Sequence, residues 1–197
     1  MIILFVQYTY ISMGVKFLKS KFLYNSFNSH IEMAKLIKNF IKKNTIIVCI
    51  GTDKCIIDCL GPLVGTILKE KNIELPVYGT IQNPIHAANL KSKLREIMKI
   101  HPNSFIIGID ACLGEPEAIG EIHVRDYPIH PGKGVGKILP EVGNVSIVGI
   151  IDSNEHSNFI HIHTVRLNFV FEMAYVISNA ILEAYNNFNK ENKKQNI

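Results

Sequence analysis

The sequence predicts one α/β domain, a three-layer α/β/α sandwich built around a mostly parallel sheet. Three observations lead there. Short apolar runs rich in β-branched residues recur at residues 45–50 (TIIVCI), 104–110 (SFIIGID) and 145–151 (VSIVGII), as expected of strands buried on both faces. Longer stretches with apolar residues at helical spacing lie between them, and this alternation implies parallel strands with helices on both sides of the sheet. The 197 residues are 47% hydrophobic and 19% charged, which suits one well-filled core and excludes a disordered chain.

Residues 1–13 are apolar and uncharged, without a basic leader or a small-residue cleavage site, and are shorter than the ~20 residues of a membrane span. Residues 1–30 therefore read as a variable N-terminal extension, with Met1 and Met13 both open as starts. Met33, Leu36, Ile37, Phe40 and Ile41 give a helix over 31–43, with Ser29 as its N-cap. The strand at 45–50 ends in Gly51; after a loop, a helix over 60–71 and a strand at 77–79 complete a βαβ unit. Pro84 opens the next helix, which runs to Lys99 through Ala87, Leu90, Leu94, Ile97 and Met98.

The strand at 104–110 is followed by a short alternating strand at 119–124. Residues 127–143, with three prolines and four glycines, form a loop-rich stretch of the kind that surrounds sites. The strand at 145–151 leads to a long helix over 164–187, whose stripe includes Leu167, Val170, Met173, Ala174, Ile177 and Leu182. The single domain thus spans 31–188, and 189–197 is a polar tail.

The net charge of +4 comes from scattered lysines, such as Lys35, Lys38, Lys42 and Lys43 on one helix face and Lys190, Lys193 and Lys194 in the tail. No basic stripe with interleaved aromatics is present, so nucleic acid is not the expected partner. Cys49, Cys55, Cys59 and Cys112 do not form a small-domain disulfide framework, and reduced thiols in a cytoplasm are expected, with no membrane attachment.

In open α/β sheets, ligands bind at the carboxyl ends of strands. Two such ends carry acids, Asp58 in the loop after the first strand and Asp110 at the end of the 104–110 run. Two carboxyls close together on a low-dielectric rim cannot both ionise easily, so one keeps its proton. Such a pair supplies a base to activate water and an acid to protonate a leaving amine, the requirements of peptide hydrolysis. Each also has a structural reading: Asp58 as the cap of the helix near Leu60, Asp110 as a loop residue bonding to backbone amides. Asp53 is a third candidate, for substrate binding.

The stretch GKGVGK at 132–137 resembles a phosphate loop but has Ile138 where a hydroxyl residue would hold magnesium. Its glycines suit a loop passing near the aspartates, with Lys133 or Lys137 reaching a substrate carbonyl or carboxylate. Cys55, Cys59 and Cys112 share the aspartate-bearing segments but lack a fourth zinc ligand. His156, His161 and His163 are expected at the surface or near the start of the last helix, and Arg166 in a structural ion pair.

The motifs GTD (51–53), DCLGPLVG (58–65), YGTI (78–81), PIHAANL (84–90), IDACLG (109–114), PGKGVGK (131–137), LP (139–140), VG (142–143), GI (149–150) and TVRL (164–167) together resemble the YyaC-type spore proteases of endospore-forming bacteria, over roughly residues 46–180. That family in turn resembles the germination protease, an aspartic-type endopeptidase of small acid-soluble spore proteins, and more distantly the hydrogenase maturation endopeptidases. The resemblance implies a phosphorylase/hydrolase-like, maturation-endopeptidase-like fold. It places the germination protease's two catalytic aspartates on Asp58 and Asp110.

The expected function is a sporulation-associated peptidase, acting on a protein or peptide such as a spore protein, in the mother cell or forespore cytoplasm. No cofactor is expected. Two alternatives remain at this point: a catalytically idle spore protein that binds a peptide or protein in the same cleft, and a metal-dependent maturation-type endopeptidase. The resemblance would give the latter Asp58, Asp110 and His130 as ligands. Substrate identity and oligomeric state are not legible.

Overall fold

The structure, a computed structural model, describes residues 7–12, 15–132, 139–153 and 165–195. Seven strands form one sheet: β1 (Gln7–Ser12), β2 (Val15–Leu23), β3 (Thr45–Cys49), β4 (Val77–Tyr78), β5 (Phe105–Gly114), β6 (Glu121–Arg125) and β7 (Val145–Ser153), in spatial order β1-β2-β6-β7-β5-β3-β4. Strands β4, β3, β5 and β7 are mutually parallel, whereas β6 runs against both β7 and β2, and β1 against β2. Five of the seven strands therefore share one direction.

Four helices, α1 (Ser29–Lys38), α2 (Leu60–Glu70), α3 (Leu90–Ile100) and α4 (Leu167–Gln195), flank this sheet in the expected three layers. Odd-numbered residues of β3 and β5, among them Ile47, Cys49, Ile107 and Ile109, pack with α1, α2 and α4 through Met33, Leu60, Val64, Val170 and Met173. Even-numbered ones, Ile46, Val48 and Ile106, pack under α3 with Leu90, Ile97, Ile129 and Val142. The continuous apolar runs follow from this burial on both faces, since alternate residues belong to different cores. Among the described residues, only α4 is long and apolar enough to cross a membrane, and 44% of its most apolar window is buried, against α1 and α2. That is the position of a core helix.

Several elements differ from the sequence reading in their bounds. Helix α1 starts at Ser29, with Asn28 in the left-handed conformation (φ 61°) before it, so Ser29 is not the cap; its hydroxyl is buried without a partner. Asparagine tolerates that conformation, which turns the chain into the helix. The helix stops at Lys38 because Phe40 and Ile41 donate to carbonyls three residues back and the Lys42 amide is taken by Thr45 Oγ1 (2.7 Å). Pro84 does not open α3. Asn89 accepts the His86 amide (2.9 Å) and donates to the Pro84 carbonyl (3.0 Å), so residues 84–89 form a turn and the helix starts at Leu90.

Strands β1 and β2, within residues 1–30, add to the sheet beyond β6 and were not anticipated. Strand β5 continues four residues past Asp110, because β7 beside it runs on to Ser153 and supplies partners. Helix α2 lies unusually close to the sheet edge. A Cβ at Gly61 would collide with the Ile50 carbonyl oxygen and one at Gly65 with that of Gly79, so both positions admit only glycine without a shift of the backbone.

Candidate functional site

Asp58 belongs to a single 3-10 turn, Ile57–Cys59, between β3 and α2. The turn folds back on the strand end: Thr52 N–H donates to the Asp58 carbonyl (3.0 Å) and Gly51 N–H to that of Ile85 (2.8 Å). Gly51 has φ 143°, and a Cβ there would collide with the Asp58 carbonyl oxygen, so glycine is what lets this turn close. Cys59, not Asp58, precedes α2, and no side chain caps that helix. The capping reading of Asp58 is therefore incorrect. The residue is open to solvent, yet the protein around its carboxyl raises its pKa by desolvation.

Asp110 lies inside β5, paired with Val148 of β7, and is not a loop residue. The end of this strand is set by the length of its neighbour β7 and not by the apolar run. The Oδ1 atom accepts the Ala111 amide (2.9 Å). Burial pushes the carboxyl pKa up to about 8, and the Asp58 charge adds to the rise; the Ala111 amide and the Arg125 guanidinium oppose it. The 3-10 turn packs against β5, so the two acids interact across the carboxyl edge of β3 and β5.

Asp53 is exposed in the loop after β3, where its charge helps raise the Cys59 thiol. All four cysteines are free thiols; burial raises Cys49, Cys59 and Cys112. His130 is exposed and meets Glu141 (3.2 Å), and among the described residues no three of His, Cys, Asp and Glu converge as a metal site. The described residues thus do not bring His130 together with Asp58 and Asp110. Lys133, Lys137, His156, His161 and His163 lie outside the described residues. Arg166 is exposed beside α4 and makes no ion pair among the described residues.

Sequence reasoning missed a polar row on β6, two strands from Asp110. Glu121, His123 and Arg125 alternate along β6 with the buried Ile122 and Val124, a period-2 pattern that put polar side chains on one face. Glu121 Oε2 meets His123 Nε2 at 2.6 Å, and Arg125 Nη2 meets His123 Nδ1 at 3.1 Å. Burial lowers the His123 pKa to about 4, so at neutral pH the ring is uncharged. An uncharged ring in this place donates from Nε2 to Glu121 and accepts at Nδ1 from Arg125. Lys21, one strand over, completes an ion pair with Glu121 (2.9 Å). Two surface cavities of about 300 and 550 Å³ lie elsewhere, one lined by Lys35, Lys38 and Lys190, the other by Lys69 and Pro76; neither touches the aspartates.

A family model described as "Protein of unknown function (DUF1256)" matches residues 21–180. The "Uncharacterized protein YyaC" of Bacillus subtilis (strain 168) is 43% identical to this chain over 140 residues, which is 71% of this chain and 68% of that protein.

Proposed function

This chain belongs to the DUF1256 family, and we propose that it is a peptidase of spore-forming bacteria in which Asp58 and Asp110 hydrolyse a peptide bond together. The observation that carries the reading is the inequality of the two acids. Asp110, inside the sheet, holds its proton to about pH 8, whereas Asp58 stands in more water and ionises first. The Asp58 carboxylate then takes a proton from a water molecule, whose oxygen attacks the substrate carbonyl. Asp110 gives its proton to the departing amine. One proton enters the pair and one leaves it, so the pair ends in the reverse protonation state and is reset by exchange with solvent.

The resemblance of DCLGP at 58–62 and DA at 110–111 to the germination protease supports the same assignment and points to a protein substrate, such as a spore protein, in the cytoplasm of the sporulating cell. Lys133, Lys137 and Asp53 are the accompanying candidates for substrate contact. The test is cleavage of a protein extract from sporulating cells, followed by mass spectrometry. Wild type is expected to release defined peptides, with a rate that falls as pH rises past about 8, and Asp58→Asn to release none. Equal cleavage by Asp58→Asn, or none by wild type, ends the reading.

A further inference from the structure

Lys19 of β2 and Arg125 of β6 form a pair of cations on the far side of β7 from Asp110, and among the described residues no carboxylate makes an ion pair with either. In the β2–β6 ladder Lys19 is registered directly opposite Arg125, so the two side chains share one face at cross-strand distance. Like charges in that position repel, and each is only half-exposed, which makes the repulsion stronger than on an open surface. The neighbouring Glu121 is engaged by Lys21 and His123. Neither Lys19 nor Arg125 forms an ion pair among the described residues, and Arg125 Nε is buried without an acceptor. Asp110 of β5, on which the Arg125 charge acts, keeps its proton at neutral pH because it is buried.

The Arg125 guanidinium is nevertheless held in place. His123 Nδ1 fixes one terminal nitrogen, and the Tyr127 ring lies 5.6 Å from its centre. Burial, with repulsion from Arg125 and Lys21 added, lowers the Lys19 pKa, and attraction to Glu121 and Cys112 offsets this only in part. Arg125 also acts on Cys112 and Asp110 of β5, which places the positive field along the strand that carries the proposed acid. A fixed, half-buried guanidinium beside a lysine is a receptor for a carboxylate.

From this we propose that Lys19 and Arg125 form a carboxylate-binding subsite on β2 and β6, on the far side of β7 from Asp110, which holds an acidic group of the bound peptide. The inference deepens the peptidase reading and rests on it for the identity of the ligand as a peptide. A carboxylate has two sources in a peptide, its free C-terminus and an acidic side chain, and both present the same chemistry to the guanidinium.

The test is a binding measurement, which does not depend on cleavage. The probes are N-acetyl-Ala-Ala-Ala with a free carboxylate, its C-terminal amide, and N-acetyl-Ala-Glu-Ala amide, each titrated into 15N-labelled full chain. One of the two anionic peptides is expected to bind about tenfold tighter than the neutral amide. Whichever does so identifies the source. Arg125→Gln and Lys19→Gln should each remove the preference, with Lys19→Gln still informative if the first variant does not fold. Equal binding of all three peptides, or a preference that survives in a folded Arg125→Gln or Lys19→Gln, overturns the subsite. A preference that persists in a protein that cleaves nothing refutes only the peptidase; cleavage without a preference refutes only the subsite.

Discussion

Replacing Asp110 by Asn should stabilise this protein at neutral pH, although the change removes an ionisable group from the proposed site. The carboxyl has a folded pKa of about 8 against an ordinary 3.8, so between those values the folded state keeps a proton that the unfolded chain has lost. Stability then falls as pH rises through this window, because the native state binds more protons than the unfolded one. Each pH unit is about 1.4 kcal/mol, which makes the ceiling roughly 4 kcal/mol at pH 7. Water at the half-buried side chain reduces this to about 2 kcal/mol. Asparagine keeps the shape and an oxygen for the Ala111 amide but has no proton to hold. Urea unfolding of the two proteins, followed by circular dichroism from about pH 4 to 8, should give curves that meet near pH 4 and separate by about 2 kcal/mol at pH 7, with the variant above. His123, held neutral by burial, tilts both curves alike and cancels in the difference. Parallel curves, or a variant less stable at pH 7, would refute the view that Asp110 is held protonated.

Other predictions follow from packing. Gly65→Ala brings a methyl group onto the Gly79 carbonyl oxygen and should cost about 3 kcal/mol by forcing α2 off the sheet; a loss below 1 kcal/mol would mean that α2 and β4 are not in such close approach. Native alkylation mapped by mass spectrometry should label the half-exposed Cys55 first, and Cys49, fully buried with a strongly raised pKa, only on unfolding. Early labelling of Cys49 would show that the β3 core opens readily.

The central sheet was legible because its strands are buried twice over. Ile46 to Cys49 send alternate residues into different cores, so the run is apolar throughout and has the length of a strand. The place of Asp58 was legible for the same reason, since the strand ends in glycine and a helical period resumes at Leu60. What was not legible depends on partners distant in sequence. Asp110 read as the end of a strand, but β7 extends the pairing to Gly114. Strand β2 was missed because Lys19 and Lys21 interrupt its apolar residues, and only pairing with β6 makes the alternation meaningful. The Glu121, His123 and Arg125 row had a visible signal, polar residues at every second position. Its significance came only when β6 was found two strands from β5. The cap at Ser29 and the helix start at Pro84 failed because the Asn28 backbone and the Asn89 side chain turned the chain instead, a choice that propensity does not encode.

The central claim, that Asp58 and Asp110 act as one unit, is tested most directly by kinetics on a peptide that the wild type cleaves. The kcat/KM of Asp58→Asn, Asp110→Asn and the double variant should be measured together, with far-UV circular dichroism to show that each is folded. Two acids sharing one proton-transfer sequence predict that each single change lowers the rate at least about a hundredfold and that the double change is no worse than the poorer single one. A double variant whose loss is the product of the two single losses, or a single variant with wild-type rate, would contradict the account.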